Sequence, residues 1–542
     1  MEKAAGSPEW PPFILSIFRR SVGGGGGWWE KSLNRRSSGA VVCLQMFVLF
    51  HQIEFLLFLI PVLVGYWTVP KRARNLLLLL ASYAFYASWN WKFGGCLLAS
   101  TAVDYCVGLG IQRSSRTRTR RSLLTLSVVT NLGMLGFFKY SNFFLDSLVA
   151  LTGAMGFSLD VPTLSIILPI GISFYTFQTL SYSIDVYRGK IEPTSNLVDF
   201  ALFVVFFPQL IAGPIEKARD LLPQLRAPKF LKDVDWQHGL YLFGYGWFLK
   251  VVIADPVGVV VNEAFGPPSA QVGRLDVSGA RVLMALYAYS LQIYCDFSGY
   301  SKMARGLACM FGIRLSRNFY LPFFSRGYID FYKRWHITLS NWIGEYVYMP
   351  LYYYLPRTRL FGAITGTRAR LYVSAAVALL VTRVVFGLWH GASMNFVLLG
   401  LFIYCGQWAS VLANQLTKNS SLRNNPVHAA LARPLQSFVM IHMFAFAMLF
   451  FRSHSVEQVT EFSGRLLTDL DLSELLRFDL IWPMYLPAAF LFSYELLQYR
   501  RDDEFAILKL SGYRQFAFWL TLVTLWILRA DPGGGEFIYF QF

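Results

Sequence analysis

Two histidines sit where an ionisable ring is costly. His390 lies in "VVFGLWHGASMNFVLLG", between two apolar runs, with Trp389, Gly391 and Ser393 beside it and Asn395 five positions on. An ionisable side chain inside such a run, at membrane depth, is expensive and marks a functional site by default. The small residues Gly391, Ala392 and Ser393 leave room for another segment or a substrate to come close. His336 lies in "FYKRWHITLSNWIGEY", after Lys333, Arg334 and Trp335. Arg and Trp are also ordinary anchors at a membrane surface, so position alone leaves an interfacial role open. An imidazole titrates near neutrality and suits general-base work. It can take the proton of a hydroxyl whose oxygen attacks an acyl carbon.

Other chemistries lack their residues. No third ligand stands at a zinc-type spacing from the two histidines, and zinc wants three or four. No GxSxG elbow supports a serine nucleophile. No Walker or GxGxxG motif supports direct use of ATP or NAD. Two carboxylates adjoin apolar runs. Asp185 in "SYSIDVYRGK" is expected to pair with Arg188 near a helix end. Asp296 in "YCDFSGYSKMARG" precedes Ser298 and Gly299, read as a break in an apolar stretch. It is expected to cap a helix or to shape a site.

The elements that hold these groups follow from composition. Of 542 residues, 55% are apolar and 15% charged, against about 45–50% and about 25% in soluble domains. Such a chain is neither a soluble enzyme nor a disordered one. At roughly 20 apolar residues per crossing it has material for about eleven to thirteen helical spans. The expected fold is all-α, a polytopic transmembrane helical protein with short re-entrant helices around a central intramembrane site. The net charge of +17 then reads as positive-inside bias and attraction to anionic lipid headgroups, with no nucleic-acid partner. The six cysteines include no CxxC pair and read as small buried hydrophobes.

Along the chain, residues 1–45 carry "GGGGGWW" and "RRSSG" and form no sustained apolar run. They read as a disordered or interfacial extension, and 46–542 as the membrane domain. Two basic loops, Lys71–Arg74 and Arg113–Arg121, are separated by two spans and so share a face, expected to be cytoplasmic. Two regions do not read as simple spans. Residues 160–225 hold Pro162, Pro169, Pro208, Pro214 and Pro223, and 311–360 mix Arg, Asn, Tyr and Trp with short apolar pieces. Broken backbone at membrane depth is tolerated inside protein or beside a cavity. A site is expected there.

These segments resemble the membrane-bound O-acyltransferase family, most closely the branch represented by the membrane subunit of alginate O-acetylation. The likeness is carried by "PIGISFYTFQTLSYSIDVYRG" (169–189), "FFPQLIAGPIEKARDLLPQL" (206–225), "YCDFSGYSKMARGLACMFGI" (294–313), "RWHITLSNWIGEYVYMPL" (334–351), "FGLWHGASMNFVLLG" (386–400) and the closing "FIYFQF". It spans roughly 46–542. The sequence departs from the branch at Lys302, Arg317, Gly344, Glu345, Tyr352 and Tyr353, which makes 300–355 more basic and more aromatic.

The resemblance implies a membrane enzyme in which His390, matching the family's "WHG" histidine, is the catalytic base. His336, matching its second histidine, positions the donor or relays the proton. Tyr175, Gln178, Gln209, Asp296 and Asn395 are expected to line the substrate path. No bound cofactor or metal is expected; the co-substrate is an acyl thioester, acetyl-CoA or an acyl carrier protein. The resemblance further implies a multi-pass protein of the cytoplasmic (inner) membrane. Its partner would be an extracytoplasmic, SGNH-hydrolase-like acetyltransferase that completes transfer to a polysaccharide. Rival readings are a D-alanyl or peptidoglycan O-acyl transfer subunit and a transporter of polysaccharide or lipid without chemistry.

Overall fold

The computed structural model describes residues 49–529, apart from 160–163, 165, 269, 271–272, 418–425, 472 and 475–477, together with Ile538. The expected extension 1–45 and all of "FIYFQF" except Ile538 lie outside the described residues. Among the described residues every regular element is helical.

The expected crossings resolve into two kinds of helix. Lys71–Arg113, Thr117–Ala154, Thr367–His390, Met394–Ala413 and Pro434–Arg452 hold segments long and apolar enough to cross a membrane. In Thr117–Ala154 only 17% of the most apolar window is buried in protein, so most of that surface, including Val129, Phe144 and Leu151, is left for lipid. The second kind is enclosed by the first. In Ile172–Tyr187 every residue from Ile172 to Ser183 is buried, and a helix buried all round belongs to the core. It is anchored by polar contacts as well as apolar ones. Asp104 of the Gly94–Arg113 helix is fully buried. It accepts from Ser127, from Asn131 Nδ2 at 2.6 Å and from Ser183 Oγ at 2.6 Å, which ties three helices together. Such interhelical hydrogen bonds hold membrane bundles where no hydrophobic drive separates helix from lipid.

The long helix Gly279–Met310 crosses Trp236–Phe248 at paired glycines seven residues apart. A Cβ on Gly299 would stand 2.6 Å from Gly246 O, and one on Gly306 2.6 Å from Gly239 O. Only glycine lets the two backbones meet there. The expected break at Ser298–Gly299 is therefore corrected: the helix runs through both residues, and Gly299 serves a close crossing.

The proline-rich and 311–360 regions are broken as expected. They contain the four-residue turn Phe207–Leu210 and the short helices Tyr328–Tyr332, Ile337–Ile343 and Met349–Tyr354. The two basic loops also share one end. Arg74 Nη1 reaches Lys229 O at 2.9 Å and Arg120 Nη2 reaches Tyr187 O at 3.0 Å. Lys190, Lys217 and Arg219 converge there on Glu345. The cysteine expectation needs correction. Of the five described cysteines only Cys295 is buried, while Cys106 and Cys405 are exposed. An apolar run whose solvent is lipid need not turn inward.

Candidate active site

The broken region brings the two histidines together. His390 is the last residue of the 24-residue helix Thr367–His390, which ends as Gly391 turns extended. His336 immediately precedes Ile337–Ile343 and adopts a left-handed conformation, φ 43°. That conformation costs a non-glycine residue about 1–3 kcal/mol and is kept where the surroundings impose it. The side chains are buried, at 4% and 0% exposure, and their ring centroids are 6.5 Å apart. Aromatic rings frame them. Trp389 lies 5.4 Å from His336, Phe297 meets His336 edge-on at 4.7 Å, and Phe386 and Phe451 each stand 5.0 Å from His390. Phe177 stacks on Trp342 at 3.8 Å, 6.0 Å from Trp389.

Asn318 sets the orientation of His336. Its Oδ1 accepts from Thr338 N at 3.3 Å and Thr338 Oγ1 at 3.0 Å, and faces His336 Nδ1 at 3.1 Å. A backbone N–H can only donate, so the amide atom there is the oxygen. In the neutral ring the hydrogen then sits on Nδ1, which leaves Nε2 as the basic nitrogen. The sequence reading did not single out Asn318. Its only signal is a polar residue inside "RLSRNFYLPF".

A cavity of about 80 Å³ opens at His390, lined among others by Lys139, Gly171, Ser173, Phe174 and Trp389. It holds several times the volume that one water needs. Gly171 is required on its wall, with φ 76° and an added Cβ 2.6 Å from Leu210 O. Lys139 Nζ donates to Trp389 O at 2.6 Å and to His390 O at 3.3 Å, and Tyr140 Oη to Leu388 O at 2.8 Å. Neither residue was a sequence candidate. Only the fold brings them to the helix 250 positions on.

The other expected path residues are placed differently. Tyr175, Gln178, Gln209, Asp296 and Asn395 are buried and none lines this cavity. Tyr175 and Gln178 are three apart on one side of the enclosed helix. Gln209 donates to Phe203 O at 2.9 Å and Asn395 to Ser453 O at 2.8 Å. Asp296 sits mid-helix, not at a cap. It pairs with Lys250 at 2.9 Å and accepts from Ile538 N at 2.7 Å. Asp185 is not paired with Arg188. It accepts from Tyr346 at 2.8 Å and lies 3.6 Å from Arg219 and 3.9 Å from Lys190, because the chain reverses after Tyr187 and carries Arg188 over the Tyr346 ring.

Three of the departures from the branch pattern, Glu345, Arg317 and Lys302, have polar partners. Arg219 grips Glu345 with two bonds of 2.8 Å, and Lys190 and Lys217 add 2.5 and 2.6 Å contacts. The hydrogen bonds from Arg219, then those from the lysines, hold the Glu345 carboxyl far below the usual range. Arg317 lies 3.2 Å from Glu504, which Arg305 also grips. Burial pushes Glu504 up, but Arg305 and then Arg317 override it and hold the group at about 2. Lys302 donates to Ser298 Oγ at 2.6 Å. A groove of about 530 Å³ on the same basic end is lined by Lys71, Arg72, Arg74, Arg226 and Lys229, with Asp199 among them.

Residues 190–453 match the family described as MBOAT, membrane-bound O-acyltransferase. A probable alginate O-acetylase of Azotobacter vinelandii is 40% identical over 366 residues, which cover 67% of this chain and 68% of that protein. One of Pseudomonas syringae pv. tomato is 35% identical over 437 residues, 80% and 78% of the two chains. A peptidoglycan O-acetyltransferase of Helicobacter pylori is 32% identical over 447 residues, 76% and 79% of the two.

Proposed function

The chain belongs to the membrane-bound O-acyltransferase family and is a multi-pass membrane acyltransferase, and from that premise we propose that it moves an acetyl group from a cytoplasmic thioester toward an envelope polysaccharide. The observation that carries this reading is the buried histidine pair beside a cavity, 6.5 Å ring to ring. His390 takes the proton of the acceptor hydroxyl as its oxygen forms the new C–O bond. The carbonyl π pair moves onto the carbonyl oxygen, then returns as the C–S bond breaks. The leaving thiolate takes the proton from His390. His336, its Nδ1 turned to Asn318, relays the proton or orients the donor. Tyr175 and Gln178 carry buried oxygens without a protein hydrogen-bond partner among the described residues, as do Gln209 and Asn395. An unmet buried oxygen costs about 1–3 kcal/mol, which favours substrate or water beside each of them.

Direction follows from charge and length. Lys139 and His390 each stand some twenty residues up their helices from the basic ends near Arg118 and Arg368, ~30 Å at helical rise. The basic end is cytoplasmic in this reading, in an inner membrane, and the cavity lies toward the other side. The basic groove suits the phosphates of acetyl-CoA or an acidic acyl carrier protein. An extracytoplasmic, hydrolase-like acetyltransferase receives the group and completes transfer. The names of the relatives support alginate-like polysaccharide as the acceptor class, with peptidoglycan as the second reading.

The experiment profiles donors. Purified protein in lipid nanodiscs receives labelled acetyl-CoA or labelled acetyl carrier protein, with wild type compared to Arg72→Glu/Arg226→Glu. The reading expects turnover with one donor and a raised KM for it in the variant. Turnover with neither donor, with or without extracytoplasmic extract, contradicts it.

A further inference from the structure

The lysine in the His390 cavity lies where charge is expensive. Lys139 belongs to a five-residue π-helical turn, Gly136–Tyr140, inside the Thr117–Ala154 stretch. Such turns are rare and concentrate at functional sites. In a regular α-helix consecutive side chains point about 100° apart. Here Lys139 and Tyr140 both serve the end of one other helix. That end is where His390 sits. A helix leaves its last four carbonyls without helical partners. Tyr140 satisfies Leu388 O, and Lys139 satisfies Trp389 O and His390 O. A cation also complements the negative end of the helix dipole.

Capping does not exhaust the ammonium. It has three donors, and the carbonyls of Trp389 and His390 take two. The same side chain lines the cavity with His390. We propose that Lys139 is a further catalytic residue of this site. It holds the His390 helix end and gives its remaining N–H, with its charge, to the acyl oxygen that turns negative when the hydroxyl attacks. This rests on His390 as the base. When the C–O bond forms and the carbonyl π pair moves to oxygen, the new negative charge lies beside the ammonium. When the C–S bond breaks, the pair returns and the charge leaves with the thiolate. Lys139 neither gains nor loses a proton.

The competing account is a cap and nothing more, and three substitutions separate the two. Lys139→Arg keeps charge and donors, Lys139→Gln keeps two donors for the two carbonyls but neither the charge nor a third N–H, and Lys139→Met keeps none of these. Each is assayed in nanodiscs with the donor that supports wild-type turnover, beside His390→Ala, after thermal unfolding shows which variants fold. Removing one charge-stabilising donor costs about 100- to 1,000-fold in kcat. The proposal expects losses of that size in Gln and Met, a donor KM within threefold of wild type, and recovery to within tenfold in Arg. Gln or Met within threefold of wild-type kcat, beside an inactive His390→Ala, overturns the role of Lys139 and leaves His390 standing. Full activity in His390→Ala overturns the reading on which both rest. A second measurement needs no turnover. Methylphosphonate, a tetrahedral anion, is titrated calorimetrically into wild type and the Gln variant. The proposal expects affinity at least tenfold weaker in Gln, and equal affinity overturns it.

Discussion

Replacing Asn318 by leucine tests how His336 is held. Leucine has the branched heavy-atom outline of asparagine, with bulkier methyl ends, and no acceptor. In the native site Asn318 Oδ1 receives Thr338 N, Thr338 Oγ1 and His336 Nδ1 at 3.0–3.3 Å, with Thr338 6% and His336 0% exposed. Losing the oxygen orphans buried donors, at about 1–3 kcal/mol of stability each. The effect on chemistry is smaller and separate. One neutral hydrogen bond, about 0.5–1.5 kcal/mol, favours the Nδ1–H form, so its loss shifts the ratio of the two tautomers against that form by roughly 2- to 12-fold. Loss of ring orientation adds to that, as it does for histidines whose outer partner is removed. The expected result is a kcat down about 10- to 100-fold with little change in donor KM. The assays are acetyl-transfer kinetics in nanodiscs and ¹⁵N NMR of labelled histidine. Wild type should show His336 with hydrogen on Nδ1, and the variant a mixture. A wild-type ring protonated on Nε2, or a folded leucine variant with wild-type kcat, would refute the reasoning.

Two further perturbations probe the scaffold. Glu345→Gln removes the charge that Arg219, Lys190 and Lys217 share, for about 1–3 kcal/mol once partial exposure is allowed for. Because the carboxyl is depressed in the folded protein, its contribution is complete above the usual glutamate value of about 4.3 and fades as pH falls below that. Unfolding in detergent should therefore show a constant difference from wild type between about pH 5 and 8 that shrinks in more acid buffer. Gly387→Ala drives a methyl group into Phe396 O. It should separate Thr367–His390 from Met394–Thr417 and abolish activity together with a fall in melting temperature. Normal melting with normal activity would contradict the packing described.

The site was half legible in the sequence, for physical reasons. His390 and His336 announce themselves because an imidazole in an apolar run is costly whatever surrounds it. The prolines of 160–225 likewise forecast broken backbone, and the two basic loops a common end. Asn318 and Lys139 gave no such signal. Each lies among other polar or aromatic residues, and its meaning depends on a partner 18 or 250 positions away. Asp296 and Asp185 show the opposite limit. Their type and setting marked them, but the fold supplies Lys250 to one and Tyr346, Arg219 and Lys190 to the other. Ser298–Gly299 read as a break because small residues weaken a helix, and in the structure Gly299 serves a crossing and Ser298 accepts from Lys302.

The most direct test of the account is the transfer of labelled acetyl by wild type, His390→Ala and His336→Ala in nanodiscs, after all three are shown to fold. The account predicts turnover in wild type and a loss of at least a hundredfold in kcat for His390→Ala, at the lower end of what a positioned general base contributes, about 10²–10⁴. His336→Ala should fall short of wild type with the donor KM or the proton step altered. Undiminished turnover in His390→Ala would contradict the central claim.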